Sequence, residues 1–178
     1  MSFESDSEPN PEAYTVGWIA QMPIELTAAR TAFDFKFNNG HSLCLSGHNE
    51  YFGGRIGDFY VVMAVCAEIG TTHAQSLARN MCDVFPRIEF LLLVGIGGGV
   101  PKYGTDLQEE MVLGDVVVDR PGYGISGVFD YSRGAETKDG FIASSSVPAP
   151  PDLLLQAVGT LESNYSMEFY PKIIPRIL

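Results

Sequence analysis

The chain has 178 residues, 46% of them apolar and 19% charged, with a formal net charge of −11 at neutral pH. That length and apolar share suit one domain with a substantial buried core. The acidic balance excludes a nucleic-acid backbone or an anionic membrane as partner, since each needs a basic face, and no apolar run approaches the ~20 residues that span a bilayer.

Residues 1–13 are acidic and polar with two prolines. They read as a disordered leader ahead of a domain at 14–178, and they lack the segments of a secretory signal, so a cytoplasmic or nuclear location is expected, cytoplasmic by preference. Tyr14–Ala20 reads as a first strand. Pro23 then suits the first position of a helix with Glu25 in its first turn, and Ile24, Ala28 and Ala32 mark one helical face through about Phe33. Residues 35–48 show no regular pattern. Glu50–Ile56 and Phe59–Ala67 read as two strands joined at Gly57–Asp58, with Asp58 expected to take the positive φ of the turn. Gly70-Thr71-Thr72 opens a helix to about Phe85, capped by Thr71 or Thr72 and ended by Pro86.

Phe90–Leu93 lead an apolar run, Glu89–Gly95, that reads as a strand buried on both faces and empties into Gly95-Ile96-Gly97-Gly98-Gly99. Residues 100–110 read as a loop, Val112–Val118 as another strand, Val128–Ser132 as a short one, and 144–151 as a Ser/Pro loop. A last helix starts at Pro151-Asp152 with Leu154, Val158 and Leu161 on one stripe. The tail from Tyr170 to Leu178 is apolar, and it reads as the point where a longer fold would continue. Alternating strands and helices predict a three-layer α/β/α sandwich with a central mixed sheet, incomplete at its C-terminus.

The glycine run carries the first chemical signal. Glycines at a strand end let a ligand meet backbone N–H groups, in the crevice where α/β sheets bind ligands. The dinucleotide fingerprint fails here, because Val100-Pro101 stand where a third glycine and a helix are needed. No Gly-Lys-Ser/Thr occurs either, so no nucleotide cofactor is expected. Glu25 has two readings, a general acid or base at the same sheet edge, or an acid that complements the helix dipole, and by position alone the second is favoured. Ala67–Thr72 is a third strand-to-helix junction at that edge, read in isolation as a helix cap. Cys44, Cys66 and Cys82 lack metal-ligand spacing, their odd count suits reduced thiols, and the three histidines are scattered, so no metal is expected.

Together, in this order, Val16-Gly17-Trp18-Ile19-Ala20-Gln21-Met22-Pro23-Ile24-Glu25, Ile69-Gly70, Val94-Gly95-Ile96-Gly97-Gly98-Gly99 and Leu113-Gly114-Asp115-Val116-Val117-Val118 resemble the nucleoside phosphorylase and nucleosidase superfamily. The wording is most similar to the version at the head of large fungal proteins of NLR-like build, where NACHT-type ATPase and repeat regions follow. The resemblance implies cleavage of the N-glycosidic bond of purine nucleosides or nucleotides through a ribosyl cation-like transition state. It makes Glu25 the acid that activates the attacking water. It places Met22 and Ile69 along the ribose and its 5′ substituent, and Gly97 and Gly98 against ribose and base. Gln21 and Ile96 complete the expected substrate-binding set, and Asp115 is structural.

Leu93 and Ile96 stand where phosphorylases carry the arginine and serine that hold phosphate. An apolar pair cannot supply charge-assisted bonds, so hydrolysis is favoured over phosphorolysis. The superfamily's leaving-group Asp has no match after Asp152, so the chain alone is expected to be weak or inactive. Family members are commonly oligomeric, and a homo-oligomer is expected. The competing reading is a catalytically inactive nucleoside-binding or signalling domain.

Overall fold

The computed structural model describes residues 9–43, 49–99, 113–121, 127–128, 134–138, 140–143 and 149–166. They fall into two compact units, Met1–Gly98 and Gly99–Leu178.

The first unit holds a five-stranded sheet in the order β2-β3-β4-β1-β5. Its strands are β1 (Val16–Ala20), β2 (Phe35–Lys36), β3 (Phe52–Ile56), β4 (Phe59–Val65) and β5 (Phe90–Leu93). Central β1 runs parallel to both β4 and β5, whereas β3 lies antiparallel to β4 and β2 to β3. The sheet is thus mixed, as predicted. Its two faces follow the alternation of side chains along each strand. Val16, Ala20, Val61 and Met63 point to one face and pack under Leu26, Ala29 and Phe33, on or just beyond helix α1 (Pro23–Thr31). Ile19, Val62, Ala64 and Cys66 point to the other, beneath Leu77, Met81 and Phe85 of helix α2 (Thr71–Val84) and its end. Helix, sheet, helix is the three-layer arrangement read from the sequence.

Tyr14, fully buried just before β1, sets its ring edge-on to Phe37, Tyr60 and Phe85. Aromatic pairs of this kind add to the area they bury. The irregular stretch before β3 contains a tight loop, Phe37–Gly40, with Asn38 and Asn39 both left-handed. Pro11–Ala13, at the end of the predicted leader, form a 3-10 turn capped by the Asn10 side chain.

Four expectations need correction. Strand β5 is not buried on both faces: among the described residues it pairs only with β1, so it is an edge, and Leu93 at its end is exposed. Composition signals an apolar strand, but the number of neighbours decides its burial. Gly57, not Asp58, takes the positive φ between β3 and β4, because glycine reaches that region without a Cβ penalty. Helix α2 is capped by Gly70 at φ 145°, with no side-chain cap from Thr71 or Thr72. Leu113–Val118 form no strand: a turn at Leu113-Gly114 is followed by non-repetitive backbone with Val116, Val117 and Val118 exposed. A valine-rich segment needs a neighbouring strand before it becomes a ladder, and among the described residues no strand pairs with it.

In the second unit a hairpin of β6 (Gly134–Thr137) and β7 (Gly140–Ala143) appears between the predicted Val128–Ser132 strand and the 144–151 loop, where no strand was expected. Helix α3 (Asp152–Ser166) starts as read, with Leu154 and Val158 half-buried but Leu161 exposed. Arg120 bonds Glu162. The expected loop at 100–110, most of the Val128–Ser132 strand, residues 144–148 of the Ser/Pro loop, Cys44 and the tail from Tyr170 lie outside the described residues.

Candidate active site

Parallel pairing brings the carboxyl ends of β1, β4 and β5 to one edge of the sheet. The register is continued past the strands by Cys66 N–H bonding Ala20 O at 2.9 Å and Val94 N–H bonding Ile19 O at 3.1 Å. Three loops therefore meet there: Gln21–Met22 into α1, Ala67–Gly70 into α2, and Gly95–Gly98 after β5.

Two side chains of the first loop tie the three together. The Glu25 carboxylate accepts three backbone N–H groups: from Gln21 at 2.8 Å and Met22 at 2.9 Å on Oε2, and from Ile96 at 2.8 Å on Oε1. The Met22 bond is the reach-back half of a capping box; methionine offers no side-chain oxygen to complete it. Gln21 Oε1 accepts the Gly70 N–H at 3.1 Å, holding the N-cap of α2. Glu25 therefore does what an acid in a first helical turn does, and also reaches a loop 71 positions away.

The electrostatics follow. Glu25 is 9% exposed, yet its carboxyl is held below the usual range. The Ile96 N–H is the main cause, burial opposes it, and the Met22 and Gln21 N–H groups add to it. The group is a fixed anion at neutral pH. Its oxygens offer about four acceptor positions, of which the described residues use three, leaving one on Oε1 among them. Burial and the Glu25 charge push the Cys66 thiol up, so this neighbour stays protonated.

The predicted site residues divide into two sets. Glu25, Gln21 and the Ile96 backbone are joined by hydrogen bonds. Met22 is half-buried at the helix cap, while the side chains of Ile69 and Ile96 are each 70% exposed. Among the described residues, Gly97 and Gly98 face open space, with nothing within 4 Å of where a Cβ would stand. Sequence reasoning placed Gly95 in the ligand-facing glycine run but not against the Glu25 carboxylate, which packs on it; nothing in a run of glycines distinguishes that one from its neighbours. His73 lies 3.5 Å from Glu68 on the surface. Asp115, outside this unit, is half-buried. Among the described residues, no three His, Cys, Asp or Glu side chains come together to hold a metal ion.

No family model matches the sequence. Over 157 residues the chain is 35% identical to a nucleotide-binding leucine-rich repeat (NLR)-like protein of Hyaloscypha variabilis, a match that covers 88% of this chain and 16% of that protein. In structure it is similar to futalosine hydrolase of Helicobacter pylori, with a TM-score of 0.54 and 18% identity, over 87% of this chain and 60% of that one. A second similar structure is the MTA/SAH nucleosidase of Streptococcus pneumoniae in complex with 8-aminoadenine, at 25% identity and a TM-score of 0.42, over 58% of this chain and 40% of that one. The chain thus spans 16% of its curated relative's length and 60% of the futalosine hydrolase chain.

Proposed function

We propose that this chain, which has the nucleosidase-like α/β fold, hydrolyses the N-glycosidic bond of purine nucleosides or nucleotides, with Glu25 directing the water. The observation that carries the proposal is the Glu25 carboxylate, fixed by N–H groups from two loops of the crevice and left with one free acceptor position. A water donating to that position is oriented by a group that cannot swing away. As the bond from C1′ to the base breaks, its electron pair leaves with the base and positive charge gathers on the sugar. The water oxygen bonds C1′ and becomes strongly acidic, so even a carboxylate of lowered basicity can take its proton. Such positioned proton transfer contributes about 10²–10⁴-fold.

Leu93 and Ile96 support water over phosphate as co-substrate, since neither side chain can donate to an anion. Cytoplasmic placement and self-association belong to the same proposal; among the described residues no helix is long and apolar enough to cross a membrane. Incubation with adenosine, inosine, guanosine, AMP and ATP, with and without phosphate, tests it. Free base is expected in phosphate-free buffer, and release that requires phosphate contradicts the reading of Leu93 and Ile96.

A second reading is a nucleoside-binding domain without turnover inside an NLR-like protein. The sequence likeness to such a protein favours it, as does the low basicity of Glu25. A nucleoside-dependent rise in Tm without base release decides for it.

A further inference from the structure

We propose that Gly95 is a positioning residue for Glu25: the absence of a side chain at 95 is what lets the carboxylate reach the Ile96 N–H. A Cβ built on Gly95 would stand 2.8 Å from Glu25 Oε1, 3.1 Å from its Cδ and 3.2 Å from its Oε2. Its three nearest neighbours are thus all atoms of one carboxyl group. Backbone conformation is not the reason for glycine here, because Gly95 is not among the glycines of positive φ. Gly97 and Gly98 show the contrast, having nothing within 4 Å.

The consequence is directional. A methyl at 95 displaces Oε1, the oxygen bonded to the very next residue's N–H. The Gln21 and Met22 bonds lie on Oε2, within the first loop, so the link that breaks first is the one between loops. Gly95 therefore decides whether the carboxylate belongs to one loop or to two. The catalytic meaning of this rests on the function proposed for Glu25; the positional claim does not.

Four chains test it: G95A, E25A, the E25A/G95A double variant, and G97A. G95A is expected to lower Tm, to shift the Ile96 amide proton resonance and to raise the titration midpoint of the Glu25 carboxyl, followed by ¹³C NMR. Cys66 is the titratable side chain coupled to Glu25, and its protonated thiol does not change charge in the acid range. G97A should leave the Glu25 midpoint where it is. In the E25A background the clash is gone, so adding G95A should leave Tm unchanged. An equal Tm loss in both backgrounds, or an unmoved Glu25 midpoint in G95A, overturns the proposal. If G95A does not fold, the double variant decides: folding with the Tm of E25A supports the claim, and failure to fold overturns it. Absence of base release by the unaltered chain would count against hydrolysis while leaving these outcomes intact.

Discussion

The loops that follow β1 and β5 share one sheet edge and differ in how they are held. In the first, the side chains of Gln21 and Glu25 accept N–H groups from their own loop and from both neighbouring ones. In the second, the Ile96 N–H is tied to Glu25, while the Ile96 side chain, Gly97 and Gly98 lie open. One loop supplies a rigid anion and the other an unfilled surface beside it. Under the proposed function, such a crevice would be pre-organised for the reacting atom and permissive toward the rest of a ligand. Rigid chemistry next to adaptable contact is a common division of labour in binding sites.

Removing the shared group should damage that arrangement most. Glu25→Ala leaves three N–H groups without their acceptor, and chemical denaturation should show a loss of roughly 1–3 kcal/mol. A loss indistinguishable from zero would mean that water replaces the carboxylate freely and that the first loop is no more rigid than the second. Acid should act on the same link with a defined sign. The folded-state pKa of Glu25 is lowered from its reference value of 4.5, so its contribution is fully present above that value and is lost as pH falls through the lower folded pKa. Urea midpoints between pH 6 and 3 should therefore fall more steeply for the unaltered chain than for Glu25→Gln; parallel curves would deny the stabilised anion. Gln21→Ala removes one bond to α2 and should cost about 0.5–1.5 kcal/mol, with increased hydrogen exchange at the Gly70 amide. Unchanged exchange there would leave Gln21 free to serve a ligand instead.

Much of this was legible in the sequence, for identifiable reasons. Pro23 and Pro86 punctuate α1 and α2 through fixed φ and a missing N–H, and the Gly57-Asp58 turn separates β3 from β4. Glu25 was visible as a first-turn acid, and that structural reading holds: it does bond its own helix start. What could not be read were properties made by distant neighbours. The edge position of β5 depends on how many strands flank it. That Leu113–Val118 join no sheet among the described residues depends on strand neighbours that their composition cannot reveal. The role of Gly95 appears only once Glu25, 70 positions earlier, folds against it.

The most direct test of the central claim is the rate of purine base release from nucleosides in phosphate-free buffer, measured for the unaltered chain and for Glu25→Gln. The variant keeps an amide of the same size but loses the anion. The account predicts measurable release by the unaltered chain and a fall of about 10²–10⁴-fold in the variant, with the variant still folded and binding nucleoside. Equal rates in the two chains would contradict it.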